Sequence, residues 1–393
     1  MPDVREFREE TRAWLNDNCP TGARGTGQVH TGSSKIPITN TDTELWLERM
    51  ANKGWTCPTW KKEYGGGGLN TTEYMILLEE MRAINARPPL MNRGTSMVGP
   101  TIVEFGNEEQ KLRLLPMIAR GEGAWCQGYS EPGSGSDLAS LRTSAKDCGD
   151  HFLISGQKIW TSDADTCDWI FILVRTDSKA PKHEGISFFV MPMDQSGITV
   201  RPIRLISGAS PFCETFLDEA VAERRNMIGL PNQGWTVGKR LLQHERSGME
   251  MLVSGSASSR QVTTVDAAKK YVGMHNGQIA DARFRGKLLN YEMGMDAYKL
   301  TQRRIVEEAG NGGTPGPVTS IIKTVGTELQ QEQSDLMTSM MGTQGYGWEG
   351  PGFTQTQLNH ARSWLYGRAH SIYSGSNEIQ RNIIAKRVLG LPD

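Results

Sequence analysis

The spacing of hydrophobic positions changes twice along the chain. Residues 1–122 place apolar side chains at intervals of three and four, which predicts helices. From Trp125 to about Ile228 the apolar residues form short alternating runs between turn residues, which predicts the strands of a small sandwich or barrel. Helical spacing then returns in several long segments, which indicates a helical bundle. We therefore predict an α+β multidomain chain with an N-terminal helical domain (1–122), a middle β domain (123–232) and a C-terminal helical bundle (233–393).

Individual elements follow from the same pattern. Residues 70–73 and 107–110 have the residue types of capping boxes, and each predicts the start of a helix. Strands are predicted at 151–155, 169–174, 186–191, 198–203 and 213–217. Bundle helices are predicted at roughly 235–272, 278–309, 318–342, 354–371 and 378–389.

One carboxylate falls on an apolar helix face. The apolar stripe of the first bundle helix consists of Leu241, Leu242, Met249 and Leu252. At 100° per residue, Glu245 lies at the centre of this stripe, about 20–60° from each of the four. A carboxylate on a buried face must be paired, hydrogen-bonded or functional, and desolvation makes a carboxylate a better base near neutrality. Two interpretations stay open at this point: a catalytic base, or a structural ion pair, for example with Arg246.

Residues 125–137 combine a strand-like start with a turn rich in glycine and hydroxyl groups. Such a loop suits a phosphate or a heteroaromatic ring, although a plain surface turn has the same composition. The dinucleotide fingerprint is not met, because Leu138 stands where its third glycine would be. Residues 157–162 place a tryptophan beside two hydroxyl groups, which indicates either an ordinary strand end or a flat face for a ring.

Composition and charge limit the function. The chain has 393 residues, 37% of them hydrophobic, and a formal net charge of −1, which does not favour nucleic-acid binding. Its six cysteines and seven histidines form no cluster at metal-ligand spacing, so we expect free thiols and no metal site. No apolar run approaches the roughly 18 residues of a membrane span, and the charged N-terminus is not typical of a signal peptide. We predict a cytoplasmic protein without a membrane span.

These segments together resemble the acyl-CoA dehydrogenase family. Tyr129-Ser-Glu-Pro-Gly-Ser-Gly-Ser-Asp137 is close to the first family signature, and residues 373–391 resemble the C-terminal one. Residues 157–162 and 342–346 match at the expected places between them, so the resemblance covers essentially the whole chain. Residues 137–142 and 244–248 look most like bacterial branches, including the large-subunit type of pimeloyl-CoA dehydrogenase.

The resemblance implies FAD held between the middle domain and the bundle, with an acyl-CoA thioester against the flavin. Positions that would contact the cofactor are Gln127, Tyr129, Ser130, Ser136, Trp160, Ser162, Ser376 and Glu378. Positions that would contact the substrate are Ser136, Arg246, Tyr373 and Ser374. The family is usually tetrameric, which implies a homotetramer or a heterotetramer with a related subunit. Electron-transfer flavoprotein or a similar protein would accept the electrons.

The resemblance also implies a reaction. A base removes the α proton of the thioester while the flavin accepts a hydride from the β carbon, which gives a 2,3-enoyl-CoA. In much of the family the base is a glutamate just after the tyrosine of the C-terminal signature, but this chain has Ser374 there, and serine alone lacks useful basicity. Some branches instead carry a Glu-Arg pair on the first bundle helix, which Glu245 and Arg246 match. We therefore predict Glu245 as the catalytic base.

Two departures from the family pattern leave alternatives open. Ser374 is compatible with a flavin oxidase, monooxygenase or desulfinase of the same fold that removes no α proton. Residues 271–280 lack the arginine that often reaches a neighbour's FAD, which is compatible with a non-catalytic subunit that completes a partner's site. The small residues Gly94, Ser96 and Gly99 either line a roomy acyl pocket or serve helix packing.

Overall fold

The computed structural model describes the backbone of residues 4–255, 263–309 and 316–392, and the side chains of 4–244, 263–305 and 316–392. The chain packs into two compact units. The first contains Met1–Ile203 and Pro211–Ala257, and the second contains Arg204–Ser210 and Ser258–Asp393. The predicted order of helices, then strands, then helices is confirmed. The three-domain division with boundaries at 122 and 232 stays a prediction.

Helices begin the first unit. They are α1 (Val4–Asn18), α2 (Thr41–Asn52), α3 (Thr71–Ala83), α4 (Gly99–Phe105) and α5 (Glu108–Ala119). Both predicted capping boxes are present: Asn70 accepts the N–H of Glu73 at 3.0 Å, and Asn107 accepts the N–H of Gln110 at 2.9 Å. These side chains satisfy N–H groups that have no partner within the helix, which fixes where α3 and α5 begin.

Residues 125–223 form a seven-stranded curled sheet. Its strands are β1 (Trp125–Gly128), β2 (Ser144–Asp147), β3 (His151–Ser162), β4 (Trp169–Arg175), β5 (Ile186–Pro192), β6 (Ile198–Ile203) and β7 (Phe212–Glu223). The order is β1-β4-β2-β3-β7-β6, with β5 antiparallel to β4, and β1 runs parallel to β4. The five predicted strands are confirmed, but β3 and β7 are each twelve residues long.

The sheet is covered on both faces around β4. Phe171 packs with Leu115 of α5 in one hydrophobic cluster, whereas Ile172 packs with Ile154 of β3 in another. Burial on both faces explains the unbroken apolar run of β4. Helix α6 (Gly234–Gly255) follows the sheet, and its Leu241 belongs to the first cluster.

The predicted stripe of α6 is described only in part. Leu241 is fully buried and Leu242 is half-buried. The side chains of Met249 and Leu252 lie outside the described residues. The predicted helix 235–272 is replaced by two separate helices, because α7 has its own N-cap, where the Thr263 side chain accepts the N–H of Asp266 at 3.0 Å.

The second unit is mainly helical. Its elements are α7 (Thr264–Tyr271), the hairpin β8 (Met274–His275) and β9 (Gln278–Ile279), α8 (Ala282–Ala309), α9 (Thr319–Met341), α10 (Gln355–Tyr366) and α11 (Asn377–Ile383). The predicted helix start at residue 278 is wrong, because Gly273 and Gly277 adopt φ values of +86° and +75° and turn the chain into the hairpin. The hydrophobic core of the second unit includes Leu288, Leu329 and Leu336.

Several properties bear on the predicted setting of the protein. Within the described residues, no helix is long and apolar enough to cross a membrane. The same part of the chain holds no group of three or more His, Cys, Asp or Glu side chains placed to bind a metal ion. All six cysteines are free thiols, and only Cys148 among them is exposed.

Candidate active site

Residues 129–131 continue the chain from β1 and lie against α6. Tyr129 is buried, its ring meets Phe171 edge-on at 6.3 Å, and its hydroxyl donates to the carbonyl of Gly238 at 3.5 Å. Ser130 is half-buried, and its carbonyl accepts the N–H of Ile159 on β3 at 2.9 Å. The predicted site residues Tyr129 and Ser130 therefore lie on backbone that is held by both a strand and a helix.

Trp160 projects from a bulge in β3. Between the paired residues Lys158 and Thr161, β3 contains one residue more than the facing stretch of β7. Trp160 has a φ of +61° and is 52% exposed, with an edge-on contact to Phe212 at 6.1 Å. A left-handed conformation costs a residue with a Cβ roughly 1–2 kcal/mol, and such strain is concentrated at functional sites. The exposed indole is therefore the clearest candidate for contact with a planar ligand.

The other two predicted cofactor residues of the sheet lie close to these in the chain. Ser162 is half-buried at the end of β3, two residues after Trp160, and Gln127 is half-buried on β1 opposite Phe171. Thr161, between Trp160 and Ser162, points inward, and its buried hydroxyl has no hydrogen-bond partner within the described part of the chain. Trp160 and Ser162 are thus the outward residues of this strand end.

The glycine-rich part of the loop closes on itself. Glu131 and Ser134 exchange two backbone hydrogen bonds of 2.8 and 3.0 Å, and the buried Ser134 hydroxyl donates to the carbonyls three and four residues further on. A Cβ added at Gly133 or Gly135 would meet no atom within 4 Å. Ser136 is exposed. This segment is a compact turn with an open outer side, so neither glycine is required for close packing within the described chain.

Position 245 lies on the helix face that meets Tyr129. Gly238 presents this face, because a Cβ there would lie 3.4 Å from the Tyr129 hydroxyl. Position 245 follows Gly238 by seven residues, which corresponds to a rotation of about 700° around the helix axis. Position 245 therefore lies within about 20° of Gly238 around the helix, and about 10 Å further along its axis. The side chains of Glu245 and Arg246 lie outside the described residues, so their roles stay predictions.

The turn before position 245 is tied to α4, which sequence reasoning missed. Glu104 accepts two 2.7 Å hydrogen bonds from Arg240, and Nε2 of His244 lies 3.2 Å from Glu104 Oε1. Hydrogen bonding to Arg240 lowers the pKa of Glu104. Burial lowers the pKa of His244, although Glu104 opposes the shift. The charged pair Glu104 and Arg240 therefore holds α6 against α4 near the predicted base.

In the second unit, the C-terminal signature forms a tight turn. Ser374 and Gly375 have φ values of +54° and +84°, and the buried Gln380 side chain donates to their carbonyls at 3.5 and 3.4 Å. Tyr373 is 41% exposed, and burial of its other part raises the pKa of Tyr373 to about 12. The residues predicted to contact the substrate, Tyr373 and Ser374, are therefore adjacent and exposed on one turn.

The same turn leads into α11. The Ser376 hydroxyl caps this helix, and the exposed Glu378 lies in its first turn, where its own backbone N–H lowers the pKa of Glu378. Asn377 is buried and accepts a 2.9 Å hydrogen bond from Lys323 of α9. Sequence reasoning missed Asn377 and Gln380, because their burial depends on α9 and on the turn rather than on local spacing.

The small residues near α4 serve packing. A Cβ at Gly94 would lie 2.7 Å from the Trp125 ring, and one at Gly99 would lie 2.3 Å from the Trp60 ring. The Ser96 hydroxyl donates to the carbonyl of residue 92 at 3.1 Å. The packing interpretation of Gly94 and Gly99 is therefore the one the structure supports.

Comparisons with known proteins agree with this architecture. The acyl-CoA dehydrogenase N-terminal domain matches residues 1–122, the middle domain matches 126–220 and the C-terminal domain matches 232–389. Acyl-CoA dehydrogenase IpdE1 of Mycobacterium tuberculosis (strain ATCC 25618 / H37Rv) is 35% identical over 399 residues, covering 100% of this chain and 99% of that protein. The chain belongs to the acyl-CoA dehydrogenase family: it is an oxidoreductase with a flavin cofactor that acts on acyl-CoA thioesters.

Solved structures with the same fold include two complexes. The Tcur3481-Tcur3483 steroid ACAD has a TM-score of 0.74 and 30% identity, covering 99% of this chain and 97% of that chain. The ChsE4-ChsE5 complex from Mycobacterium tuberculosis has a TM-score of 0.71 and 28% identity, covering 100% and 98%. Related chains of this family thus occur in heteromeric complexes.

Proposed function

We propose that the protein is an FAD-dependent dehydrogenase that converts an acyl-CoA thioester into its 2,3-enoyl-CoA. The observation that carries this proposal is Trp160, a half-exposed indole on strained backbone beside the fixed loop 129–131. A flat aromatic face next to ordered backbone suits the planar ring of a flavin. The residues of this region therefore fit the cofactor that the family uses.

Two groups of residues would hold FAD. Tyr129, Ser130, Trp160 and Ser162 would bind the ring system, with Gln127 close by. Ser376 and Glu378, at the start of α11, would bind the adenosine end, and the exposed Ser136 would meet the phosphates or the CoA arm. Bound FAD would supply the acceptor for the hydride that leaves the β carbon.

Glu245 would remove the α proton. Its position on the α6 face shared with Gly238 supports this role, because that face touches the Tyr129 wall of the flavin region. Ser374 stands at the usual position of the base, but a neutral hydroxyl is a much poorer base than a carboxylate. Arg246 would orient the Glu245 carboxylate or the acyl-CoA. The backbone N–H of Ser374, in its left-handed turn beside Tyr373, would donate to the thioester carbonyl.

The acyl group that we propose is bulky and ring-bearing. The support is similarity to the steroid ACAD described above, at 30% identity over nearly the whole chain. The same comparison and the ChsE4-ChsE5 complex support an assembly with a related subunit rather than with identical copies alone, and we propose a heterotetramer. Electron-transfer flavoprotein or a similar protein would reoxidise the flavin.

A panel of acyl-CoA thioesters tests the reaction. Steroid-ring, straight-chain, dicarboxylic and aromatic acyl-CoAs are mixed anaerobically with the purified yellow protein. Loss of the visible absorbance of the oxidised flavin is followed together with the mass of the product. We expect the flavin to be bleached and the enoyl-CoA product to be about 2 Da lighter than the substrate. The ring-bearing thioester should react fastest. Rapid oxygen consumption with a substrate that is not a CoA thioester would instead support the oxidase alternative.

A further inference from the structure

The side chain of Lys158 is fully buried although it carries an amino group. It lies on β3, next to the bulge that projects Trp160, and nothing in the proposed chemistry uses it. Burying an ammonium group costs several kcal/mol unless it is well paired, and an apolar side chain of similar volume is often more stabilising. A buried lysine at this place therefore calls for a reason beyond the stability of the sheet.

The Lys158 side chain points toward the loop 129–131, which belongs to the proposed flavin site. Its Nζ donates to the carbonyl of Tyr129 at 3.1 Å and to Oε1 of Glu131 at 2.9 Å. The next residue, Ile159, donates its N–H to the carbonyl of Ser130 at 2.9 Å. Three consecutive loop residues are thus held by two consecutive residues of β3.

Glu131 extends this network to a third segment. Its side chain is 9% exposed, and its two oxygens accept the N–H groups of Arg142 at 2.7 Å and Thr143 at 2.9 Å. Burial would raise the pKa of Glu131, but Lys158 and these N–H groups more than offset it and hold the pKa below its usual range. The carboxylate is therefore ionised at neutral pH and balances the charge of Lys158.

The electrostatic surroundings of Lys158 are otherwise unfavourable. Burial lowers the pKa of Lys158 to about 8, Glu131 opposes this shift and the charge of Arg175 on β4 adds to it. Without Glu131, the ammonium would keep the Tyr129 carbonyl as its one hydrogen-bond partner within the described residues and would still lie near the cation Arg175. The pair thus depends on both partners, and both belong to segments that form the proposed flavin region.

Resting on the flavin role proposed above, we propose that Lys158 is a positioning residue that fixes the Tyr129 and Ser130 backbone relative to Trp160, with Glu131 as its counter-charge. Lys158 is the last inward residue before the bulge, since Thr161 is the next buried side chain of β3. Its hydrogen bonds to the loop 129–131 therefore set the distance between this loop and the bulge that carries Trp160, the two segments that would contact the flavin ring. Lys158 would act through these residues without touching the substrate.

Three variants of the full-length protein test this role. Lys158→Met keeps an unbranched side chain only one heavy atom shorter and removes its charge. Lys158→Met with Glu131→Gln removes both charges, so that no buried charge of this pair is left unpaired. Ile154→Val, on the same strand and also fully buried, is a matched control that opens a small void elsewhere in the sheet. FAD affinity, the fine structure of the flavin absorption band, melting temperature and amide hydrogen exchange at 129–131 are measured for each.

We expect Lys158→Met to weaken FAD binding about tenfold to a hundredfold, the effect of losing hydrogen bonds from a charged donor, and to speed exchange at 129–131. The double variant should recover melting temperature but neither FAD affinity nor slow exchange, and Ile154→Val should lower only the melting temperature. Recovery of FAD affinity in the double variant, or wild-type affinity and exchange in Lys158→Met, would overturn the proposal. If the wild-type protein binds no FAD, the proposed function fails, whereas the exchange data still test Lys158.

Discussion

Replacing Trp160 by glycine should strongly weaken flavin binding. A tryptophan side chain presents up to about 250 Å², and Trp160 is 52% exposed, so about 130 Å² of it is open to a ligand. If a flavin ring covers between half and all of this area, the contact contributes about 1.6–3.2 kcal/mol at 25 cal/mol per Å². Trp160→Gly should therefore weaken FAD binding about 15- to 200-fold.

The same change should destabilise the apoprotein moderately. Glycine adopts the φ of +61° without a Cβ penalty, which relieves roughly 1–2 kcal/mol. Loss of the edge-on contact with Phe212 costs about 0.5–1.5 kcal/mol, and glycine in a strand costs about 0.5–1 kcal/mol. Removing the buried part of the ring, about 120 Å², costs about 3 kcal/mol more at 25 cal/mol per Å², so we expect the apoprotein of Trp160→Gly to be less stable by about 2–4 kcal/mol.

Titration of apoprotein with FAD and thermal unfolding without FAD measure the two effects. Trp160→Ala serves as the matched control, because it removes the same ring but keeps the left-handed strain. It should bind FAD as weakly as Trp160→Gly and be less stable by roughly 1 kcal/mol. Wild-type FAD affinity in Trp160→Gly would show that the indole does not contact the flavin and would refute the reasoning.

Two further predictions concern stability. Gly99→Ala should lower the free energy of unfolding by about 1–3 kcal/mol in chemical denaturation, because the new Cβ would lie 2.3 Å from the Trp60 ring. The control Gly133→Ala should leave the free energy of unfolding unchanged, because a Cβ there meets nothing within 4 Å. Equal effects of the two substitutions would contradict the packing described for Gly99. The pKa of Lys158 is lowered from 10.5 to about 8, so between these values the unfolded chain binds more protons at this side chain than the folded one. The free energy of unfolding of the wild type should therefore rise with pH, relative to Lys158→Met, from about pH 8 to 10.5, and a flat difference would contradict the lowered pKa.

The sequence predicted the long elements of the fold because their signals are local. The run 169–174 predicts a strand by itself, and 70–73 and 107–110 predict helix starts through side chains that bond to nearby backbone. β2 was missed because it is polar, and only Ala145 among its four residues is buried. The hairpin at 274–279 was missed because two glycine turns interrupt a stretch with helical spacing.

The site residues were predicted mostly through the family resemblance, whereas the geometry of the site could not be predicted from the sequence. The positive φ of Trp160 results from a register shift between β3 and β7, strands that are far apart in sequence. The contact of Lys158 with Glu131 joins residues 27 positions apart, so neither residue carries a local signal of burial. Helical periodicity singled out Glu245 as a carboxylate at the centre of an apolar stripe, and the resemblance to branches with a Glu-Arg pair on this helix led to its prediction as the base.

Anaerobic stopped-flow reduction of Glu245→Gln by an acyl-CoA substrate tests the central claim most directly, with Ser374→Ala as the matched control at the usual position of the base. Both variants should bind FAD like the wild type. Glu245→Gln should reduce about 10²- to 10⁴-fold more slowly, the usual contribution of a general base, while Ser374→Ala should stay close to the wild-type rate. Reduction of Glu245→Gln at the wild-type rate would contradict the assignment of Glu245 as the base.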